Sequence, residues 1–407
     1  MPDPGAPPVA LYIHIPFCVS LCPYCDFVVY PGAAARGPAA RIDVFLAALR
    51  VELDLRVDAL EAAFPAGWPP LETVYLGGGT PSLLPVGAIA DILERVRARF
   101  GIADGAEITL EANPGPDERG DPVALRAAGV TRLSIGAQAM SDLDLWRLGR
   151  RHKTADIGAA VAAAREAGIA SISLDLLYDA PDLMLADWID TLEAALDLEP
   201  DHLSLYALTL DDPDAEGLTG PAGDHLPTKP GARRWRESAR RAQDEDRAAA
   251  QYHHAVHRLA DDGWRGYEIS NWARPGHESR HNLAYWERRP YEALGPGAHA
   301  FDGVTRRWSA ARLNGYLSAL TPADGSAARL PPGGAEEIGV EMASAEAVIL
   351  GLRTDRGVPL SAAHERPLSD VFGWALAGEL LDVTDDDRVV LTTRGRLLSN
   401  EVFSRLY

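Results

Sequence analysis

The sequence predicts an α/β fold: an open, partial (β/α)6 barrel of the TIM type over residues 11–210, followed by a small C-terminal domain built mainly of helices. Three observations lead there. Short apolar strands alternate with amphipathic helices six times, the pattern of parallel strands joined by helical crossovers. Six units are too few to close an eight-stranded barrel. Past residue 336 the rhythm changes to helices around one strand pair.

The elements follow in order. Residues 1–10 (MPDPGAPPVA) are Pro-rich and read as a disordered lead. Residues 11–16 form a first strand. Phe45, Leu49 and Leu53 recur at helical spacing and set a helix over 42–60. A second strand, 71–76, stops at the run Gly77-Gly78-Gly79-Thr80-Pro81. Val86, Ile89, Leu93, Val96 and Phe100 then line one helix face. A third strand, 107–110, ends at Glu111-Ala112-Asn113-Pro114. Asp121 and Pro122 have the character of an N-cap and first helical residue, and Gly129 closes that helix. The fourth strand, 132–136, runs into Gln138. An Ala-rich helix lies between Thr154 and Gly168, a fifth strand over 171–177, a helix over 187–198 and a sixth strand over 202–208. Residues 211–250 are rich in Asp, Gly, Pro and Arg and read as a connection with a solvated helix. Residues 251–330 extend the core, starting with a helix over 252–262. Residues 330–335 read as a Pro/Gly linker. Residues 336–407 hold helices over 345–352 and 372–381, a strand pair and a final helix.

Composition narrows the function classes. The 407 residues carry 59 Asp and Glu against 39 Lys and Arg, a net charge of −20. Phosphate contacts need Lys and Arg, so this balance argues against nucleic acid as partner. No apolar run reaches the length of a membrane span, which restricts membrane contact to the periphery. The N-terminus has neither a basic n-region nor an apolar h-region. Together with the cysteine usage, this points to a cytoplasmic protein.

All three cysteines lie in one run, Cys18-x-x-x-Cys22-x-x-Cys25. Three thiolates at this spacing can hold three irons of a [4Fe–4S] cube, leaving one iron open to a small molecule. Buried, inert thiols are the bland alternative, but inert thiols have no reason to cluster. In barrels of this kind, function collects at the C-terminal ends of the strands. The polar residues fall there: the cysteine loop after strand one, the glycine triplet after strand two, Glu111 after strand three and Gln138 after strand four. Asp175 lies within strand five, on the face opposite Ile172 and Leu174.

The string HIPFCVSLCPYCDF resembles the radical S-adenosylmethionine (SAM) superfamily, in the branch of anaerobic coproporphyrinogen III oxidases and heme chaperones of the HemW type. The resemblance spans nearly the whole chain. It implies a radical SAM core with a [4Fe–4S] cluster on Cys18, Cys22 and Cys25, SAM on the open iron, and a winged-helix-like C-terminal domain. By residue-wise match it implies SAM neighbours at Tyr12, Gly78, Gly79, Thr80, Glu111, Gln138, Arg150, Asp175 and Ala207, with Tyr24 flanking the adenine. Glu111 and Asp175 suit ribose hydroxyls or an ammonium, and Arg150 suits a carboxylate. Structural salt bridges are the alternative for each carboxylate. The segment His281-Asn282-Leu283-Ala284-Tyr285-Trp286 is similar to the HNxxYW motif of the chaperones, which implies heme near His281, Asn282, Tyr285 and Trp286. Chemistry alone also allows a structural histidine packed among core aromatics. His299, in GPGAHAF, is a weaker candidate. His253 and His257, four apart on a helix, have no evident third ligand and read as a solvated face.

Three functions follow: a heme chaperone passing heme to an acceptor hemoprotein, an oxygen-independent coproporphyrinogen III oxidase, or a cluster-bearing regulator. The oxidases carry a further cysteine two residues past the third ligand, where this chain has Phe27, and a long arm before the cluster motif, where this chain has a short lead. Both departures match the chaperones. Arg388, Arg394 and Arg396 are too few against DVTDDD for DNA binding by the C-terminal domain. The resemblance also allows a homodimer. Tyr178-Asp179-Ala180-Pro181 departs from the family's turn after strand five, and the 211–250 stretch is atypical.

Overall fold

The computed structural model describes residues 5–32, 41–211, 213 and 215–406. Residues 1–4 of the expected lead lie outside them. Six strands form the barrel wall: β1 (Ala10–Ile15), β2 (Leu71–Gly78), β3 (Ile102–Ala112), β4 (Arg132–Gln138), β5 (Ser171–Tyr178) and β6 (His202–Ala207). They pair side by side, all parallel. The crossovers include α1 (Arg41–Ala63), α2 (Val86–Arg99), α3 (Pro122–Ala128), α4 (Thr154–Glu166) and α5 (Leu185–Leu196). Asp121 caps α3 by accepting from Val123 N, and Gly129 ends it at φ +111°, as the sequence suggests.

Strand side chains alternate between two faces. Leu11, Ile13 and Ile15 of β1, Val74 and Leu76 of β2, and Leu174 and Leu176 of β5 point outward and are buried. They pack under Phe45, Leu49 and Leu53 of α1, Ile89 and Leu93 of α2 and Trp188 and Leu192 of α5. Each such side chain contributes about 1.5–3 kcal/mol by burial. The opposite faces carry Tyr12, Tyr75, Glu111, Ser134, Asp175 and Ser204, so the lumen is polar and stays partly open.

The wall extends beyond six strands. Two helices, α6 (Pro230–Ala242) and α7 (Glu245–Asp261), follow the barrel. β7 (Asn271–Ala273) pairs antiparallel with β6. A short helix, α8 (Arg280–Trp286), crosses the floor. Next, β8 (Tyr291–Leu294) adds a seventh parallel strand beside β1, and β9 (His299–Phe301), β10 (Thr305–Ser309) and β11 (Gly333–Glu337) continue antiparallel. With a two-residue strand, Arg265–Gly266, paired to β7, the sheet has twelve strands among the described residues and is open. Four expectations change here. Residues 333–335 of the supposed linker are strand, paired with β10. Residues 5–9 of the supposed disordered lead are docked, with Ala6 N on Asp302 O and Val9 N on Pro290 O. The helix expected over 252–262 starts at Glu245, capped by Asp244. The helix expected over 372–381 spans Leu368–Ala377, and Leu381 opens a strand.

The C-terminal unit has its own core, with Leu352, Leu368, Leu381, Val389 and Val402 buried around a three-stranded sheet. It docks on the main body through Asp355 N to Tyr267 O and an Arg265–Asp355 ion pair. Among the described residues no helix is long and apolar enough to cross a membrane.

A buried carboxylate ties α1 to the added strands. Glu52 accepts from Gly295 N at 2.9 Å and from Tyr316 OH at 2.7 Å. Tyr316→Phe removes one partner from this buried group. It should lower unfolding stability by about 1–3 kcal/mol, read as a shifted urea midpoint.

Candidate functional site

The C-terminal ends of the strands surround a cavity of about 600 Å3. Its rim carries Cys18, Cys22 and Cys25, and its walls carry Gly78, Gly79, Thr80, Glu111, Gln138, Arg150, Asp175 and Ala207, with Tyr24 beside the cysteines. Of the SAM neighbours expected from the sequence, Tyr12 stands apart. It lies a layer deeper, its ring beside Tyr75 and its hydroxyl on His14 Nδ1 at 3.0 Å.

Each glycine of the triplet is there because a side chain would collide. A Cβ on Gly77 would lie 2.8 Å from the Tyr75 ring, on Gly78 2.4 Å from the His14 ring, and on Gly79 2.6 Å from Phe17 O. Gly78 also has φ +108°, a conformation glycine adopts without strain. Its N–H donates to Glu111 Oε2 at 2.9 Å, and Tyr75 OH donates to Oε1 at 2.8 Å. Burial, with Asp175 nearby, pushes Glu111 up to about 7. Asp175 accepts from Ser134 Oγ at 3.0 Å, and burial raises it as well. These carboxylates are held by hydroxyls and N–H groups. Among the described residues neither carboxylate is in an ion pair. Gln138 ends β4 at φ +70°, an uncommon conformation for a residue with a side chain.

Arg150 joins the two halves of the rim. Its Nη1 donates to Cys22 Sγ at 3.4 Å and Tyr24 OH at 3.5 Å, and its Nη2 donates to Gly136 O at 2.9 Å and to Asn113 Oδ1. Burial opposes its charge, but Tyr24 and Cys22 hold the guanidinium protonated more firmly than usual. Among the described residues its buried Nε has no hydrogen-bond partner. Asn113 also donates to Thr80 Oγ1 at 3.0 Å and to Glu118 Oε2 at 2.9 Å, while Thr80 donates to Cys18 Sγ at 3.5 Å. Asn113, in the Glu111-Ala112-Asn113-Pro114 turn, was not among the residues expected at the site.

The residues present suit an iron–sulfur cluster. The thiols are free and half-buried. Burial pushes Cys18 up to about 11, and burial with the neighbouring Cys22 and Cys18 raises Cys25, so thiolates here need cationic iron. Among the described residues no three His, Cys, Asp or Glu side chains gather round a single ion. A cube gives each thiolate its own iron, so its ligands need not meet at one point.

The 211–250 stretch packs against the cysteine loop. The expected solvated helix is α6, and it clamps the cysteine loop. Buried Arg236 donates to Pro23 O at 3.1 Å, Tyr24 O at 3.0 Å and Asp211 O at 2.6 Å. Trp235 packs near Tyr24 and donates to Arg147 O at 3.2 Å. Nothing in the arginine-rich string ARRWRESARR distinguishes Arg236 from its neighbours, so the clamp was not legible.

The HNxxYW segment forms α8, across the opposite end of the lumen. His281 is buried, with Nδ1 on Thr73 Oγ1 at 2.7 Å and Nε2 on Tyr285 OH at 2.8 Å. Burial lowers it to about 3, so it is neutral, and neither nitrogen is free for a metal in this conformation. Asn282 lines the cavity. Trp286 lies beneath the Arg353 guanidinium, 4.4 Å from its ring centre. His253 and His257 stack at 6.4 Å without a third ligand.

Residues 12–195 match the radical SAM superfamily. The heme chaperone HemW of Mycobacterium tuberculosis is 39% identical over 407 residues, 100% of this chain and 96% of that protein. The heme chaperone HemW of Bacillus subtilis is 31% identical over 400 residues, 96% of this chain and 97% of that protein. Among solved structures, coproporphyrinogen III oxidase (HemN) from Escherichia coli, a radical SAM enzyme, gives a TM-score of 0.78 over 99% of this chain and 90% of that one, at 22% identity. That likeness shows a shared fold.

Two outcomes follow from the geometry. The raised Glu111 binds its proton more tightly in the folded chain than in the unfolded one, so stability falls as pH rises from about 4.5 to 7. Glu111→Gln should flatten that slope in thermal melts between these pH values. Arg236→Met leaves three carbonyls without their donor. It should cost about 1–3 kcal/mol and, after reconstitution, release iron and sulfide several-fold faster in air.

Proposed function

We propose, from the premise that this chain belongs to the radical SAM superfamily and within it to the family of HemW heme chaperones, that it binds heme and passes it to an acceptor hemoprotein. The observation that carries this reading is the end-to-end identity of 39% to a heme chaperone, laid over a cavity that keeps every expected cluster and SAM wall except Tyr12. In this reading Cys18, Cys22 and Cys25 hold a [4Fe–4S] cluster whose open iron takes SAM. The bound pair supplies a redox centre with an exchangeable position. The chain's own residues bind and orient. Gly78 and Gly79 leave room for the amino end of SAM, Glu111 and Asp175 accept from its hydroxyls or ammonium, Arg150 faces its carboxylate, and Tyr24 lies along its adenine. In this reading the site works in the cytoplasm.

Phe27 favours the chaperone over the oxidase. It occupies the position of the oxidases' further cysteine and is 61% exposed. The HNxxYW segment serves, in this reading, as the floor of the lumen. Heme on His281 requires α8 to lift and break the bonds to Thr73 and Tyr285.

Anaerobic reconstitution followed by two assays tests the reading. The chain should take up hemin with a changed Soret band and leave coproporphyrinogen III undecarboxylated. Decarboxylation at an oxidase's rate would replace the chaperone reading with the oxidase. Sequence-specific, salt-dependent DNA binding would instead support the regulator.

Glu111 adds a pH signature. A cationic SAM ammonium beside it draws its raised value down, so binding releases a proton. SAM affinity should therefore rise between pH 6 and 8, and Glu111→Gln should abolish that rise, as read by calorimetry.

A further inference from the structure

Resting on the cluster reading above, we propose that Asn113 is a positioning residue. Its side-chain amide aims two donors, Thr80 and Arg150, at the sulfurs of Cys18 and Cys22, and so raises the reduction potential of the cluster those cysteines hold. The neighbours of the amide fix which way it faces. A guanidinium has donors alone, so Asn113 Oδ1 turns to Arg150 Nη2. An ionised carboxylate has acceptors alone, so Nδ2 turns to Glu118 Oε2, at 2.9 Å. The second hydrogen on Nδ2 then reaches Thr80 Oγ1, at 3.0 Å.

That last bond sets the hydroxyl of Thr80. A hydroxyl has a single hydrogen. With its oxygen accepting from Asn113, the hydrogen is directed at Cys18 Sγ, 3.5 Å away. Thr80 N also donates to Phe17 O at 2.8 Å, one residue before Cys18, so backbone and hydroxyl hold the same turn. On the other side, Arg150 Nη1 donates to Cys22 Sγ at 3.4 Å. One amide therefore braces a donor on each of two sulfurs. Glu118 anchors the amide in turn. It is buried, its Oε1 lies 3.5 Å from Arg151 Nε, and its backbone oxygen accepts from Ser82 Oγ.

Hydrogen bonds to the ligand sulfurs stabilise the reduced, more negative form of an iron–sulfur cluster and raise its potential. Asparagine suits this place because the amide both donates and accepts. A leucine would do neither. A carboxylate would keep the acceptor for Arg150 but offer Thr80 an acceptor in place of a donor, drawing the hydroxyl hydrogen away from Cys18.

The experiment is a dithionite redox titration of the anaerobically reconstituted full chain, with the reduced cluster followed by electron paramagnetic resonance. Iron and sulfide content reports cluster assembly. Asn113→Leu should lower the equilibrium constant for reduction at least about threefold, or about 28 mV at 59 mV per tenfold for one electron. Thr80→Val should lower it too. The double variant should fall short of the sum, because both changes act through one hydroxyl. Asn113→Asp, nearly the same shape, should also lower the potential, and it decides the matter if the leucine variant does not assemble a cluster. An unchanged potential at full cluster content, or strictly additive shifts, overturns the role of Asn113 and leaves the cluster reading standing. Failure of the unaltered chain to form a cube overturns both.

Discussion

One buried guanidinium holds the site together. Arg150 follows a short helix beyond β4, reaches across the cavity rim, and bonds at once to Cys22, Tyr24, Asn113 and Gly136. It ties a loop that has little regular structure of its own to the rigid ends of the strands. Its positive charge also opposes the repulsion of crowded thiolates. The charge is costly to bury, and it is tolerated because donors and acceptors converge on it. Remove it, and the cysteine loop is left with Thr80 on one side and the α6 clamp on the other.

Much of this architecture follows from the lumen being polar. An ordinary closed barrel fills its interior with branched apolar side chains. Here the inward faces present Tyr75, Glu111, Ser134, Asp175 and Ser204, and each finds a hydrogen-bond partner on the next strand or on a floor element. That leaves an unfilled chamber, with the cysteines at one end and α8 at the other. The extra strands from β8 onward brace the side of β1, and Glu52 links them back to α1. The C-terminal unit, with a separate core, touches the body beside the floor.

The six-strand core was legible because its outward faces are apolar and its helices keep a 3.6-residue period. The cysteine run, the glycine triplet and the strand-end carboxylates were legible because chemistry restricts which residues can stand there. Other features left weaker traces. Gly333–Glu337 has no apolar side chain larger than Ala to mark it as a strand, so its Gly-rich string read as linker. α6 appeared solvated because its arginines look alike in sequence, while in space Arg236 alone among the helix's arginines is buried. His281 resembled a ligand by motif, yet its ring sits between Thr73 and Tyr285. That pairing joins residues 208 positions apart in sequence, and no local pattern predicts it.

The central claim is that the three thiols hold a cluster whose fourth iron is open to a ligand bound in the 600 Å3 chamber. Electron paramagnetic resonance of the reduced, reconstituted protein tests it most directly. The account predicts a [4Fe–4S]+ signal whose g values shift when SAM is added, with loss of that shift in Arg150→Met. A signal that ignores SAM, or iron that binds without forming a cube, would contradict it.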